Sequence, residues 1–596
     1  MTAFARPAAD AGTLTGLFAA AVARFADRPA VSDDQQTLTY AELDRRSDVL
    51  ADTLRGHGVA AEDRVGLYLE RSVDVFVAVL GIVKAGAAYV AVDTRYPVAR
   101  RDLMLTRSGA KLVVAQPERH DDLSALALDV LPFRSQPTTE VRPGSDDHAT
   151  PAGAASVVFT SGFSGTPKAL TLEHRNIVSF AINPGLPRLL PEDRVGQISS
   201  PSSGAFHFDM WATLAHGAEV TVLPPVPELL DADFQREMKR RRITAMLVPA
   251  VVVNHVVRAD RDAFASLRVL QADGDVLLSS VCRDLLAGKF EGELYHLYGP
   301  AEITTACTAQ RVTAVEAELD TVPIGRPLHG VNVYVLGPDR QSVAPGETGE
   351  LYVGGPGVAR GYLDAAGLTD EHFVPTPFAQ GPARLHRTGD MVRERADGSL
   401  EFVGRAGSRI EIHGHRVEPG DVERGLCRHR QVHEAVVLPS GEGSERRLAA
   451  FVVLDDSLPM KELRAYAEAE LPDFMVPGHF IPVPEIPAGD HGKRDVRRLQ
   501  ELLDQHHARQ QDHTAPATET ERLLAEVWES LLGTEGVGGN DDFFQLGGHS
   551  LLAFRMQSRI KRELGVILDY RTVVANPVLS ALAAEIDAAK NEVDFL

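Results

Sequence analysis

Between about residues 35 and 350, stretches whose apolar residues recur every three or four positions alternate with short β-branched runs. Tyr40–Gly56 is of the first kind and predicts an amphipathic helix, while Ala155–Phe159, Glu219–Leu223 and Leu267–Leu270 predict buried strands. Such alternation implies an α/β domain layered around a largely parallel sheet. From Gly349 the pattern changes to short strands punctuated by glycine, and an α+β segment follows from about Ser408 to Leu499.

The stretch Gln505 to Thr518 is polar, lacks apolar periodicity and contains Pro516, so it predicts an interdomain linker. A new helix is expected to begin at Thr518 or Thr520, with Leu523, Leu524, Val527, Trp528 and Leu531 on one face. The remainder to Leu596 suits a small helical bundle. Residues Val75 to Val83 form the longest apolar run near the N-terminus, far below the roughly 20 residues that span a bilayer.

Composition narrows the class. At 596 residues two to four domains are expected. Lys plus Arg number 61 against 83 Asp plus Glu, a net charge of −22, which argues against a nucleic-acid-binding surface. Cys282, Cys307 and Cys427 have no paired short spacing, so neither a disulfide framework nor a zinc ribbon is supported. With no signal pattern at the N-terminus, the expectation is a cytoplasmic protein with no membrane partner.

The strongest chemical signal is Phe159-Thr-Ser-Gly-Phe-Ser-Gly-Thr-Pro-Lys168, directly after a buried-strand pattern. Gly162 and Gly165 let the backbone approach a phosphate, Thr160, Ser161 and Ser164 can donate to its oxygens, and Lys168 adds charge. It is not a Walker loop, since Pro167 precedes the lysine. Alone, such a turn is commonly just a polar connection.

Further segments follow in order: Leu38-Thr-Tyr-Ala-Glu-Leu43, Lys84-Ala-Gly-Ala-Ala-Tyr-Val90, Tyr298-Gly-Pro-Ala-Glu302, Gly349-Glu-Leu-Tyr352, Arg387-Thr-Gly-Asp390, Gly404-Arg405, Leu471-Pro-Asp-Phe-Met-Val-Pro477 and Gly492-Lys493. In this order the chain resembles the adenylation domains of nonribosomal peptide synthetases, within the superfamily of adenylate-forming enzymes. The resemblance implies a large α/β core over residues 1–406, a mobile α+β subdomain over 407–504, a linker over 505–518 and a four-helix-bundle carrier domain over 519–596.

It also implies two half-reactions: a carboxylate attacks the α-phosphorus of ATP to give acyl-AMP and pyrophosphate, and a thiol then takes the acyl group. Two anions must meet, so Mg²⁺ and lysine are needed to neutralise developing charge. By resemblance, Lys493 contacts the carboxylate and bridging oxygen, Glu302 helps hold Mg²⁺, Asp390 accepts from the ribose hydroxyls with Arg405 behind it, and Tyr298, next to Gly299, lies against the adenine. The family rotates its smaller subdomain about a hinge just past the Gly-Arg pair, here Gly407. Three departures stand out: Phe163 where the family has Ser or Thr, Ala301 in place of Thr, and Gly407 in place of Asp or Lys. Each lost hydroxyl costs about 1–3 kcal/mol if its bond is made in the transition state. These departures motivate a reading from another class, a degenerate domain serving as a carrier or binding scaffold.

Asp541-Asp-Phe-Phe-Gln-Leu-Gly-Gly-His-Ser550 resembles the phosphopantetheine attachment site of peptidyl carrier proteins. It implies a 4'-phosphopantetheine arm on Ser550, a phosphopantetheinyl transferase as partner, and a downstream condensation or tailoring enzyme acting in trans. The chain runs out after the bundle, so an initiation module or stand-alone loader is expected. A small MbtH-like activator is a further conceivable partner.

The acid is read from the pocket. A Phe208-Asp209 pair imitates the Phe-Asp with which the family binds an α-ammonium. Counting without a gap from Asp193 to Gly217 instead places Gly204 at the aspartate position, followed by Ala205, with Phe208 at the aromatic position. The same carry-over puts Leu247, Gln271, Asp273, Leu297, Thr305, Ala306 and Lys493 around the substrate. An α-ammonium buried there lacks a partner, at a penalty of several kcal/mol. The expected substrate is therefore a substituted aminobenzoate or hydroxybenzoate. A β-amino acid read by Asp273 or Asp209 and an ordinary α-amino acid are the alternatives.

Overall fold

The computed structural model describes residues 12–137, 149–160 and 167–593, except short stretches that include 406–409, 489–493, 512–514, 547–549 and 569–571. The chain forms two compact units, one of residues 1–406 with 488–493 and the other of residues 407–487 with 494–596.

In the first unit a nine-stranded sheet runs in the order Arg326–Pro327, Thr308–Val312, Glu293–Tyr298, Val269–Asp273, Ala245–Pro249, Arg194–Gln197, Glu219–Val222, Pro29–Ser32 and Thr37–Thr39. The strands between Glu293–Tyr298 and Pro29–Ser32 are parallel, with antiparallel pairing only toward the edges. A seven-stranded sheet has the order Gly361–Tyr362, Lys168–Glu173, Ala154–Thr160, Ala88–Ala91, Arg64–Tyr68, Leu112–Ala115 and Asp129–Pro132. One core draws Val31, Val220 and Leu247 from the first sheet and Leu67, Val114 and Leu170 from the second. The helix Val73–Lys84 is buried on nearly every side within it, which is why its sequence is apolar all round rather than striped. A five-stranded antiparallel sheet that includes Thr348–Gly354, Arg384–Glu394 and Leu400–Arg405 completes the unit.

Local chemistry accounts for where elements start. Tyr40–Gly56 is a helix over the residues the apolar pattern marks, because Thr39 and Glu42 close a capping box at its start. The run Leu267–Leu270 is displaced from its strand, which spans Val269–Asp273. Leu267 packs into a separate apolar cluster, and the strand continues through Gln271 and Asp273.

The second unit contains the antiparallel pair Val432–Ser440 and Arg447–Leu454, with His479–Pro482 added parallel, and the helices Pro419–Cys427, Met460–Glu470 and Val496–Gln511. This is the small α+β subdomain. The helix Val496–Gln511 corrects the expected linker start, since the first part of the polar stretch is helical. Leu499 and Leu503 bury against Phe451 and Ile481, and one turn further on His507 Nε2 and Ser440 Oγ lie 2.9 Å apart. An apolar stripe this narrow leaves little periodicity to read in the sequence.

Three helices of the carrier are described, Glu519–Leu532, Ser550–Glu563 and Leu579–Val593. Thr518 caps the first by accepting from the Glu521 amide at 3.0 Å. Leu524, Val527 and Trp528 enter the bundle core, whereas Leu523 is 39 % exposed and lies off the expected face. Among the described residues no helix is long and apolar enough to cross a membrane.

Candidate functional site

Thr160 ends one strand of the seven-stranded sheet and Lys168 begins the next, and the two are register partners across the antiparallel pair. The hairpin holds both ends of the Gly-rich loop together. Ser161, Gly162, Phe163, Ser164 and Gly165 lie outside the described residues. Gly361–Tyr362 adds to the outer side of Lys168–Glu173, with Tyr362 opposite Leu170. There the ammonium of Lys168 lies 5.4 Å from the centroid of the Tyr362 ring, a cation–π distance. The same tyrosine donates its hydroxyl to Glu302 Oε1 at 2.7 Å. Lys168 and Glu302, far apart in sequence, are thus joined through a residue that the sequence reading did not single out.

A second cluster forms around Asp390, which is 2 % exposed. Asp390 and Arg405 are cross-strand partners, and Arg405 Nε donates to Asp390 Oδ1 at 2.8 Å. Tyr298 donates its hydroxyl to Oδ2 at 2.5 Å, a bond that the sequence did not announce. Burial and the neighbouring Asp390 carboxylate raise the Tyr298 pKa well above its ordinary value, so the hydroxyl stays a donor. The Asp390 amide itself donates to Thr388 Oγ1, 3.0 Å away, across Gly389 at a φ of +72°. Next to Tyr298, a Cβ on Gly299 comes within 2.6 Å of the Ala306 Cα, so no other residue fits without moving the backbone. A buried carboxylate held by a cation and a phenol is suited to accept from vicinal hydroxyls, the requirement of a ribose.

The carried-over pocket residues also converge. Leu247, Gln271 and Tyr295 stand side by side on adjacent strands, and the period of two puts Asp273 and Leu297 on the same face. Phe208, Leu247, Leu297 and Ala306 share one apolar cluster, with Ala205 and Tyr295 packed against it. Thr305 donates its hydroxyl to the Gly204 carbonyl at 2.7 Å. Within this wall Gln271 is fully buried, and neither its amide oxygen nor its amide nitrogen has a partner. Tyr295, two residues before Leu297, is a neighbour that strand alternation alone identifies.

Phe208 opens a π-helical turn, Phe208–Ala212, in which Asp209 is fully buried. Ser199 Oγ donates to Asp209 Oδ2, while Oδ1 is buried without a partner. Burial pushes the Asp209 pKa up to about 7 against the lowering pulls of Ser199 and Arg71. A carboxyl that binds its proton more tightly folded than unfolded loses stability as pH rises from about 4 to about 7. Asp209→Asn keeps the shape and removes the charge. Its thermal midpoint relative to the parent should rise between pH 5 and pH 8, by a gain of roughly 2–4 kcal/mol. A difference that stays flat across that range means that Arg71 keeps Asp209 ionised in the fold.

Lys493 and Gly407 lie outside the described residues. Ser550 is the first residue of a fourteen-residue helix, where free backbone amides favour a phosphodiester.

The profile of the AMP-binding enzyme family matches residues 18–363, more than half of the chain. The chain belongs to the AMP-binding enzymes. Profiles of the AMP-binding enzyme C-terminal domain and of the phosphopantetheine attachment site match residues 421–493 and 522–586, so both halves of the expected architecture are present. Gramicidin S synthase 2 of Aneurinibacillus migulanus is 34% identical over 584 residues, which is 96% of this chain and 13% of that protein. Surfactin synthase subunit 1 of Bacillus subtilis (strain 168) is 32% identical over 586 residues, 97% of this chain and 16% of that one. The chain therefore spans only a small part of the length of these relatives. Among solved structures, Klebsiella oxytoca NpsA in complex with 3-hydroxyanthranilyl-AMSN has a TM-score of 0.73 and 25% identity, covering 82% of this chain and 99% of that one. A four-domain nonribosomal peptide synthetase bound to AMP and glycine has a TM-score of 0.73 and 28% identity, covering 99% of this chain and 44% of that one.

Proposed function

We propose that the chain uses ATP to activate a carboxylic acid that lacks an α-amine, a substituted benzoate of the anthranilate kind, and loads it onto the arm of its own carrier domain. The observation that carries this reading is Gly204 in the pocket wall, where its carbonyl accepts from Thr305 and its residue type offers no carboxylate. An α-ammonium entering here meets no carboxylate at residue 204, and a β-amino acid read by Asp273 or Asp209 stays the second reading, since Asp209 Oδ1 is buried without a partner. The unpartnered Gln271 amide offers both a donor and an acceptor to ring amino or hydroxyl groups. A protein solved with a 3-hydroxyanthranilyl ligand and one bound to glycine are equally similar by TM-score, so the choice of acid rests on the pocket residues.

In this reading Asp390, with Tyr298 and Arg405, receives the ribose and Tyr298 borders the adenine. Lys168, Thr160 and the Gly-rich loop hold phosphates, Glu302 is a ligand of Mg²⁺, and Lys493 neutralises the attacking carboxylate. Mg²⁺ supplies charge neutralisation across the phosphates, and the arm on Ser550 supplies the thiol that takes the acyl group. Subdomain rotation about Gly407 exchanges the two half-reactions. A phosphopantetheinyl transferase and a downstream acceptor enzyme are the partners. Retention of this set opposes the scaffold reading.

Pyrophosphate exchange across a panel of acids tests the substrate. A Cβ at residue 204 has nothing nearer than 3.9 Å, so the first side-chain atom of Gly204→Asp has room. The parent should respond to aminobenzoates and hydroxybenzoates, and Gly204→Asp should shift the ratio toward α-amino acids by about tenfold or more. Strong exchange by the parent with α-amino acids alone removes the Gly204 argument.

A further inference from the structure

Glu302 lies in a short 3₁₀ turn, Ala301–Ile303, that is followed by two β-branched residues in the left-handed region, Thr304 with φ 59° and Thr305 with φ 68°. Side chains branched at Cβ resist that region, so a turn of this shape persists only when something outside holds it. The segment 357–362 does so at three points. Thr304 Oγ1 donates to the Gly357 carbonyl at 2.9 Å, the Ala359 amide donates to the Glu302 carbonyl at 2.9 Å, and the Tyr362 hydroxyl donates to Glu302 Oε1 at 2.7 Å. The approach is close, because a Cβ on Gly357 falls 2.8 Å from the Ile303 carbonyl oxygen.

The first two contacts fix the backbone of the turn, and only the third reaches the carboxylate. Tyr362 is itself fixed. Its backbone is paired to the strand of Lys168, that ammonium lies over its ring, and His372 and Phe373 meet the ring edge-on at 5.8 and 5.7 Å.

We infer that Tyr362 is a positioning residue that sets the plane of the Glu302 carboxylate for the divalent cation and ties that carboxylate to the phosphate-loop lysine. The inference rests on the reading of Glu302 as a cation ligand. An O–H bond to one carboxylate oxygen removes a torsion that the cation otherwise has to freeze, which is how supporting residues raise metal affinity elsewhere. A simple packing role is the competing account. It predicts a loss of ATP binding that does not depend on the cation.

The test is equilibrium binding of ATP to the full chain without acid, titrated with Mg²⁺ and repeated in chelator, together with Mn²⁺ binding followed by paramagnetic resonance. Tyr362→Phe keeps the ring and removes the hydroxyl. It should raise the Mg²⁺ concentration that half-supports ATP binding by about tenfold, weaken Mn²⁺ similarly, and leave ATP binding in chelator unchanged. Glu302→Gln should shift the Mg²⁺ requirement at least as far, and the double variant no further than Glu302→Gln alone. If Glu302→Gln moves the requirement and Tyr362→Phe does not, or weakens ATP equally with and without the cation, the inference is overturned by itself. If Glu302→Gln leaves the requirement unmoved, the reading of Glu302 goes, and the inference with it.

Discussion

Ser550→Ala should abolish loading while pyrophosphate exchange with the preferred acid continues at the parent rate. The serine begins the helix Ser550–Glu563, and the attachment-site match over residues 522–586 encloses it. Alanine at a helix start costs about 1 kcal/mol of local stability, too little to unfold a bundle whose core includes Trp528, Phe543, Met556 and Ile586. With no hydroxyl there is no phosphodiester and hence no thiol, so the acyl-adenylate has nowhere on this chain to go. Intact-protein mass spectrometry after incubation with transferase, ATP and acid checks both steps, since the parent gains first the arm and then the acyl group. An acyl increment on Ser550→Ala means that another nucleophile, not this arm, receives the acid. The same parent spectrum names the acid by its mass, independently of the exchange panel.

How far the site was legible depended on whether its information was local. Tyr40–Gly56 could be read to its ends because the cap lies next to the helix it starts. The nucleotide cluster was legible as separate motifs, each a turn or strand end with a characteristic chemistry, and Arg405 behind Asp390 followed from that order. The bonds from Tyr298 to Asp390 and from Tyr362 to Glu302 were not legible, because they join residues 92 and 60 positions apart that no periodicity couples. The strand Val269–Asp273 was misplaced for a related reason. Gln271 and Asp273 look like the end of an apolar run, yet they are polar because that face of the strand turns to the pocket. The end of the helix Val496–Gln511 reads as linker in the sequence because an element resting on Leu499 and Leu503 needs few apolar residues. Counting and the nearby Phe-Asp pair point to different residues, Gly204 and Asp209, and the sequence holds nothing local that chooses between them, whereas the bond from Ser199 to Asp209 is visible only in the fold.

Lys493→Ala should suppress acyl-AMP formation by roughly 10²- to 10³-fold, the loss that follows removal of one pre-organised donor from a transition state that concentrates charge. A carboxylate approaching the α-phosphate meets like charge, and the cation that offsets it must be close only while the bond forms, so its removal should lower kcat more than it raises KM for ATP. In the proposed reading Asp390, Tyr298 and Arg405 remain to bind the nucleoside, and Glu302 with Lys168 remain at the phosphates. The second half-reaction gives the contrast. Acyl transfer from a presynthesised acyl-adenylate to the arm no longer needs that charge, so the holo variant should accept it at close to the parent rate. Transfer by the transferase to Ser550 should be untouched, which shows that the carrier is folded, while the retained second half-reaction shows the same for the adenylating part. Equal losses in both half-reactions mean that Lys493 supports the subdomain rather than the attack, and an unchanged exchange rate means that the neutralising cation is another residue.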